Sequence, residues 1–564
     1  MLGLVATAAV AGADVGPPGP CTHHVAPEGS DAGHGTPAAP WRTVDHAVNA
    51  ADDPVNPVGP GSVICVAPGT YRERVRFRRG GTDDRHRITL AADLALTAGD
   101  PTRVVIDGTV NGHGVRYDGE CQAAIRIEDV SHVRVSGVTV LNRGNPFFPT
   151  ADPALAAQCK AIGVGVSASA PGATVDDVVI DHVVVRDIRP ADGNPHAFGT
   201  PLSVGALAAG AAVTHLQVRA SRFADSDTAG PTITSGLIAL QGTVTDFVID
   251  GNTFDSPDLL AIDVGGNQGF TRVGDAYVNT LANYPRRGVI SDNQLLSPDS
   301  PAGNYAIQLQ AAQQILVERN YFRNVGRGIG VTTEPPCLVT SYVRGKDVWI
   351  RDNVFVNTWI SDLTTGAFAG STKCPGDPLP AYLSTENVWF TSNTVVRPAA
   401  APPFIHAPSI SIVSAGGEGL TGDSRIADNV FVSFDPIIDA TLPARASASV
   451  SLTVDDNLVQ FVGPAEVAPF RWNGAPLGAA AWAGSFDRHG TFASPTAELF
   501  TSTAHREDFH PIAGGAAREL SPVSPRGWPD DLGPARFGTF TPPEPHRGAG
   551  VHDRGVGDVG ARRR

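Results

Sequence analysis

The stretch DVWIRDNVFVNT, residues 347–358, decides the fold because it recurs along the chain in altered form. Each copy has a short run of alternating apolar and polar residues, a polar pair, an Asn and a second apolar run. Other copies are FVIDGNTFDS (247–256), GVISDNQLLS (288–297), ILVERNYFRN (315–324), VWFTSNTVVR (388–397) and SRIADNVFVS (424–433). Such alternation is typical of a β-strand with one buried face, so a strand–turn–strand unit repeats along the chain.

The repeated Asn marks the same turn in each unit. Its positions are Asn252, Asn293, Asn320, Asn353, Asn393, Asn429 and Asn457, with Ser221 one unit earlier. Successive Asn residues are 27 to 41 positions apart, which indicates constant strands joined by loops of different length. Parallel strands stack about 4.8 Å apart, so inward Asn side chains can form a hydrogen-bonded ladder. The sequence therefore predicts an all-β fold, a single-stranded right-handed parallel β-helix, or solenoid.

A second set of alternating segments supplies another strand of each coil. Its members are AAIRIED (123–129), AIGVGVS (161–167), GLIALQG (236–242), LLAIDVGG (259–266), YAIQLQA (305–311) and RGIGVTT (327–333). Repeats of this kind must stack to bury their apolar side chains, so we expect one long body rather than several domains.

Composition narrows the class of partner. Charged residues are 18% of the chain and the net charge is −15, which argues against nucleic acid as a partner. The first residues, MLGLVATAAVAGADV, are apolar and contain Ala11-Gly12-Ala13, so we expect residues 1–13 to be a signal-peptide remnant and the protein to be secreted. We expect no membrane span, because no other apolar run is long enough.

The N-terminal region resembles a known group of proteins. GSDAGHGTPAAPWRTVDHAVNAA (29–51), followed by PGSVICVAPGTYRERV (60–75), is similar to the opening of secreted β-helix proteins of the pectate-lyase-like superfamily. The resemblance implies a helix that caps the first coil, and Trp41, Val44, Ala47, Val48 and Ala51 fall on one helical face. The tail REDFHPIAGGAARELSPVSP (506–525) is similar to segments that close such helices.

This resemblance does not select a function, because the superfamily includes lyases, hydrolases, epimerases and proteins of unknown activity. We expect an N-terminal segment with the cap helix at 14–54, the β-helix at 55–500, and a closing segment with a flexible tail at 501–564.

Six cysteines test the register of the coils. An even number in an exported chain favours disulfides over a metal site, which would need clustered Cys or His spacing. Cys121 and Cys159 precede equivalent strands in neighbouring coils, and Cys337 and Cys374 follow them. Cys21 and Cys65 remain for the cap. We predict the pairs Cys21–Cys65, Cys121–Cys159 and Cys337–Cys374.

Long insertions at roughly 265–287, 333–346 and 363–387 leave the same corner and are expected to wall a groove along the strand face. Alternation turns polar residues toward that groove. The predicted substrate-binding residues are Arg126, Gln241, Gln308, Gln310 and Thr332, and the candidate catalytic carboxyls are Asp263 and Glu334. These groups match sugar hydroxyls, but the same pattern also fits an ordinary solvated sheet face.

The two candidate enzyme classes, glycoside hydrolases and uronate lyases, need different catalytic groups. Glycoside hydrolysis needs two carboxyls, and Asp263 and Glu334 lie two coils apart. A uronate lyase needs a base and a cation or donors to neutralise the carboxylate, so Ca²⁺ is a possible cofactor in that case. None of Lys160, Lys346 and Lys373 clearly faces the groove. The first wall loop offers Arg286, Arg287, Tyr277 and Tyr284.

Acidic residues near the turns are explained by turn chemistry rather than by Ca²⁺. They are Asp176, Asp177, Asp181, Asp250, Asp292, Asp352 and Asp428.

The sequence thus predicts a secreted monomer that cleaves an extracellular polysaccharide as a lyase or glycosidase. The alternative is a non-catalytic glycan-binding or matrix protein.

Overall fold

A computed structural model describes the residues on which the fold is built. They are 16–109, 123–143, 161–189, 199–206, 208–224, 236–255, 260–265, 270–273, 276–279, 284–297, 305–333, 344–367, 384–397, 407–414, 419–442, 450–497, 499–502 and 508–511.

Three long sheets run the length of the molecule. The strands of sheet 1 are β1 His23–Val25, β2 Val63–Val66, β5 Ile88–Ala92, β8 Val133–Ser136, β12 Val178–Asp181, β16 Gln217–Arg219, β19 Val244–Asp250, β24 Arg286–Ser291, β27 Gln313–Glu318, β30 Lys346–Arg351, β33 Ser384–Thr391, β36 Gly419–Ala427 and β39 Val450–Asp455, with β11 Thr174–Asp176 and β15 Ala212–Thr214 at its side.

The strands of sheet 2 are β3 Gly69–Tyr71, β6 Val104–Asp107, β9 Thr139–Arg143, β13 Val184–Arg189, β17 Arg222–Ala224, β20 Thr253–Asp255, β25 Gln294–Leu296, β28 Tyr321–Arg323, β31 Val354–Val356, β34 Thr394–Arg397, β37 Val430–Ser433, β40 Leu458–Phe461 and β43 Thr491–Phe492.

The strands of sheet 3 are β4 Val75–Phe77, β7 Ala123–Glu128, β10 Ala161–Ala168, β14 Gly199–Ala206, β18 Ile238–Gly242, β21 Ile262–Gly265, β26 Tyr305–Gln310, β29 Arg327–Thr333, β32 Ser361–Ala367, β35 Ile410–Ser414, β38 Ile438–Ala440, β41 Phe470–Trp472 and β42 Ala475–Leu477. Two antiparallel pairs, β22 Phe270–Val273 with β23 Ala276–Asn279 and β44 Phe500–Ser502 with β45 Asp508–Pro511, lie outside these sheets.

The chain visits sheets 1, 2 and 3 in turn and then starts the next coil. β30, β31 and β32 form one such coil, and each pairs in parallel with the equivalent strand of the following coil. This confirms the predicted right-handed parallel β-helix. The second set of alternating segments forms strands of sheet 3, as expected, and β14, between β10 and β18, is a further strand that the set did not include.

Apolar side chains from all three sheets fill the interior. Branched residues such as Ile262, Val264 and Ile307 are completely buried on sheet 3. Sheet 2 contributes a column of aromatic rings, in which Phe322 and Phe355 stack with their centroids 4.4 Å apart. Each coil therefore buries its apolar residues only against its neighbours, which is why stacking is needed for stability.

The predicted Asn ladder is present at the corner between sheets 1 and 2. The side-chain oxygen of Asn353 accepts from the backbone N–H and the side-chain amide of Asn320, at 2.9 and 3.0 Å. The same pair of bonds links every step from Asn252 to Asn457. Ser221 starts the column by donating its backbone N–H to Asn252.

The residue before each ladder Asn adopts a left-handed conformation. The φ angles are 55° at Asp292, 55° at Asp352 and 60° at Asp428. Asp tolerates this region better than most residues because its short polar side chain can bond locally. The acidic residues at these three positions therefore serve the turn, as the sequence suggested.

The N-terminal end is closed by helix α1, Val44–Asn49. Trp41, Val44, Ala47 and Val48 are completely buried, and the carboxylate of Glu73 accepts from the first two backbone N–H groups of the helix. Ala51 lies beyond the helix end and is only half-buried. Two short helical turns follow, α2 at Leu94–Thr97 and a 3₁₀ turn at Pro101–Arg103.

Helix α3, Ala479–Ser485, closes the other end. Its Trp482 is completely buried and stacks on Phe470 of β41, with 4.3 Å between ring centroids. Leu499 and Phe500 then pack against valines on sheet 2, including Val354 and Val396. Part of the outer face of sheet 2 is thereby covered. Among the described helices, none has the length and apolarity to cross a bilayer.

One predicted disulfide can be assessed. Cys21 and Cys65 are bonded, with their Cα atoms 5.5 Å apart. Cys121, Cys159, Cys337 and Cys374 lie outside the described residues, so the other two pairs stay predictions.

The three predicted wall insertions all connect a strand of sheet 3 to a strand of sheet 1, and thus leave the same corner.

Candidate functional site

Asp263 and Gln308 are direct neighbours on the outer face of sheet 3. Asp263 stands opposite Gln308 in the parallel pair β21–β26. Ile262 and Val264, on either side of Asp263, are completely buried, so the carboxylate lies on the other face of the strand. Asp263 is 9% exposed and Gln308 is half-buried, so this part of the face is partly covered. The structure therefore places two predicted site residues side by side.

A second pair lies on β26 and the following strand, β29, two residues further along β26 than Gln308. Gln310 of β26 stands opposite Thr332 of β29. Gln310 is 8% and Thr332 1% exposed, and no described residue forms a hydrogen bond with Oγ1 of Thr332. A buried hydroxyl with no described partner is costly, which marks this position as suited to a ligand's polar group. Gln241 lies in the same row, opposite Gly265.

Arg126 lies apart from these residues. Four strand spacings separate β7 from β21, or about 19 Å. Glu128 binds Arg126 at 2.7 Å and also binds Arg76 at 3.0 Å. Arg126 thus belongs to an ion-pair cluster near the N-terminal end rather than to the surroundings of Asp263. The predicted row of site residues is divided into two groups.

Glu334, the second candidate carboxyl, lies outside the described residues. Its pairing with Asp263 therefore stays a prediction. The described outer face of sheet 3 around Gln308 contains one carboxylate, Asp263, with the side-chain amides of Gln308 and Gln310 nearby. Calcium usually takes six to eight oxygen ligands. This described set alone is too small for a calcium site.

Three candidates of the first wall loop lie in or next to β24 of sheet 1. The guanidinium of Arg287 donates to the carboxylate of Asp246 at 2.7 Å. Tyr284 is 2% exposed, and burial raises its pKa. Burial and the nearby charge of Arg287 lower the pKa of Arg286. Arg287 and Tyr284 are thus held by the solenoid rather than presented to the groove. Nothing is described for the side chain of Tyr277.

Tyr305 and Arg327 form a contact on the same sheet that sequence reasoning did not identify. They start β26 and β29 and stand opposite each other. The Arg327 guanidinium carbon lies 5.1 Å from the centroid of the Tyr305 ring. A Cβ added at Gly330 would lie 2.7 Å from that ring, so the ring occupies the space of a missing side chain. A glycine in the middle of a strand was the available sequence signal, because it often marks such a close approach.

Two clusters of possible metal ligands occur among the described residues. One contains Cys21, His24 and Asp93, but the sulfur of Cys21 is committed to the disulfide. The other contains Asp455, Asp456 and His489, near the C-terminal end of sheet 1. His489 and Asp455 already bond to each other at 2.8 Å. Neither cluster lies on sheet 3, so neither belongs to the groove.

No family model matches the chain. The uncharacterized protein YwoF of Bacillus subtilis (strain 168) is 23% identical over 246 residues, which are 44% of this chain and 44% of that protein. The chain thus matches less than half of the length of this curated relative.

Several solved structures are similar in fold. The GH136 lacto-N-biosidase from Eubacterium ramulus is 13% identical with a TM-score of 0.44, covering 84% of this chain and 66% of that one. The PL6 alginate lyase AlyGC is 15% identical with a TM-score of 0.42, covering 86% and 57%. A mannuronic acid specific family 6 lyase from human gut microbiota is 13% identical with a TM-score of 0.41, covering 76% and 88%. Similarity at this level concerns the fold alone.

Proposed function

We propose that this protein is a secreted carbohydrate-active β-helix protein that binds an extracellular polysaccharide along sheet 3 and cleaves it as a lyase or a glycoside hydrolase. The observation that carries the proposal is the register of three consecutive strands. β21, β26 and β29 bring a carboxylate, two amides and a hydroxyl together, at Asp263, Gln308, Gln310 and Thr332. These groups donate to and accept from sugar hydroxyls.

The spacing of the strands supports a chain-like ligand. Equivalent positions in successive coils repeat every 4.8 Å or so, which is close to the length of a sugar ring. A polymer lying across the strands can thus meet one coil per residue. The outer faces of the other sheets are less suitable. Leu499 and Phe500 cover part of sheet 2, and the stacked rings of Trp349 and Trp389 are buried on sheet 1.

Asp263 is the proposed catalytic group. It is the carboxylate of the described face around Gln308, which stands directly opposite it in the next strand. In a hydrolase it acts as the acid or the base, with Glu334 as the proposed second carboxyl. In a lyase it takes the proton next to the sugar carboxylate.

A glycan panel tests the proposal. The purified protein is incubated with neutral and acidic polysaccharides, and both the ultraviolet absorbance of unsaturated products and the number of reducing ends are followed. Reducing ends with unsaturated products support a lyase, and reducing ends without them support a hydrolase. Binding without cleavage supports a non-catalytic glycan-binding protein and overturns the catalytic part. If the protein neither binds nor cleaves any glycan of the panel, the whole proposal is contradicted.

A further inference from the structure

Arg327 is a half-buried cation without an ion-pair partner among the described residues. Neighbouring arginines differ in this respect. Arg319 binds Asp292 at 2.8 Å, and Arg351 binds Glu318 at 2.6 Å. No described carboxylate lies within ion-pair distance of Arg327. Its guanidinium instead lies against the ring of Tyr305. A guanidinium stacked on a ring keeps its N–H edges available for an anion.

The fold directs this cation toward the groove. Tyr305, Arg327 and Ser361 occupy equivalent positions in three successive strands of sheet 3. The hydroxyl of Ser361 bonds that of Thr364, three residues on, at 2.7 Å. The Tyr305 ring likewise extends over Gly330, which is equivalent to Thr364. Side chains at these starting positions thus lean along the outer face, and Arg327 stands between two of them.

Gly330 links the cation to the site already described. In register, Asp263 is followed by Gln308 and then by Gly330. Because Gly330 has no side chain, the Tyr305 ring fits at this position, next to Gln308, and the Arg327 guanidinium lies against the ring. Strand spacing puts this position about 10 Å from Asp263, or two coils away. A ligand held at Asp263 therefore has its next groups within reach of the guanidinium.

We infer that Arg327, held against Tyr305 above Gly330, binds a negatively charged group of the ligand, so that the groove takes an anionic glycan. This inference rests on the proposed function. The shared chemistry is an oxyanion, carried either by a carboxylate or by a sulfate ester, that accepts paired N–H bonds from the guanidinium. The local cation also offsets the repulsion that a net charge of −15 exerts on a polyanion.

The test compares charged glycans with neutral counterparts of the same backbone. Uronic acid polymers are set against their carboxyl-reduced forms, and sulfated glycans against their desulfated forms, with affinity measured by calorimetry. The wild-type protein should bind the charged member of one pair about 10- to 100-fold more tightly, which is the usual contribution of a charge-assisted bidentate contact. The pair that shows the difference identifies the anion.

Three variants locate the effect. Arg327→Ala should remove the preference for the charged member. Arg327→Lys should retain part of it, because an ammonium group keeps the charge but cannot form the paired N–H bonds of a guanidinium. Gly330→Ala leaves the cation in place but displaces the Tyr305 ring, and should reduce the preference about tenfold. Arg323→Ala removes an exposed arginine from sheet 2 in the same coil and should leave the preference unchanged.

Three results overturn the inference. If wild type binds charged and neutral members equally, or if Arg327→Ala keeps the full preference, the groove binds a glycan without help from Arg327. The proposed function then still stands. If wild type binds no glycan at all, the inference and the proposed function both fail. Thermal unfolding of each variant shows whether a lost preference reflects lost folding instead.

Discussion

The side-chain amide of Asn457 donates to Oδ2 of Asp487 at 3.0 Å, so the Asn column ends on a carboxylate that follows the closing helix. The backbone N–H of Asn457 points to the other oxygen of the same group, at 3.5 Å. Asp487 is 1% exposed, and burial raises its pKa to about 6. The last rung of the ladder thus joins the β-helix to its C-terminal cap.

Asp487→Ala should destabilise the protein, because it leaves the buried backbone N–H of Asn457 without its acceptor, while the side-chain amide keeps the carbonyls of Ile426 and Asp455. A buried donor left unsatisfied costs about 1–3 kcal/mol, so we expect a loss in that range. Asp487→Asn keeps an acceptor oxygen and should cost less than about 1 kcal/mol. Urea unfolding followed by circular dichroism measures both. Equal losses in the two variants would show that the ladder bond is not what Asp487 contributes.

Asp362 gives a pH-dependent prediction. It is completely buried at the corner between sheets 2 and 3, with Arg397 Nη1 4.0 Å from Oδ2, and burial raises its pKa to about 6. A raised pKa means that the folded state binds the proton more tightly than the unfolded state. The stability that Asp362 contributes is therefore present below about pH 4 and lost as the pH rises through 6.

Asp362→Asn removes this titration. The stability of the variant relative to wild type should therefore increase between pH 4 and pH 7, by at most about 3 kcal/mol. Unfolding midpoints at closely spaced pH values measure the difference. A difference that does not change with pH would mean that Asp362 stays ionised in the folded protein throughout this range.

Thr332→Val separates binding from stability. The change removes a buried hydroxyl that no described residue satisfies, so stability should be unchanged or increase by up to about 1 kcal/mol. Affinity for the ligand found on the panel should fall about tenfold, since one hydrogen bond is lost. Thermal unfolding and calorimetry provide the two values. A destabilised variant with unchanged affinity would assign Thr332 a structural role.

Asp263→Asn should abolish turnover while changing stability by less than about 1 kcal/mol, because the amide has the shape of the carboxylate and supports no core packing. Initial rates on the polysaccharide identified by the panel, together with thermal unfolding, test this. Asp439→Asn, the same change at the equivalent position of β38, five strands away on sheet 3, is the matched comparison and should retain turnover. Full activity of Asp263→Asn would make Asp263 an ordinary surface residue.

Peptide mapping without reduction tests the two disulfides that lie outside the described residues. We expect Cys121 linked to Cys159 and Cys337 linked to Cys374, because each pair stands at equivalent places in adjacent coils. The Cys21–Cys65 peptide serves as the internal reference. A crossed pair, such as Cys121 with Cys337, would show that the register assigned to these coils is wrong.

Much of the solenoid could be predicted from local pattern. Asn252 through Asn457 identify the turn because each coil must satisfy the same buried backbone groups, and an Asn side chain does this repeatedly. Ile262 and Val264 likewise reveal which face of β21 is buried, because side chains alternate across a strand. Asp263 was placed on the correct face for the same reason.

The sequence by itself determined the fold, its turn and the strand face that carries the polar row, since these depend on patterns that repeat within a few residues. Only the tertiary structure decided which row members meet. It separated Arg126 from Asp263, and it stacked Arg327 on Tyr305 over Gly330. These outcomes depend on register between strands that are 20 or more residues apart in the chain, and on the space that a missing Cβ leaves. Neither quantity is contained in the local alternation of residues.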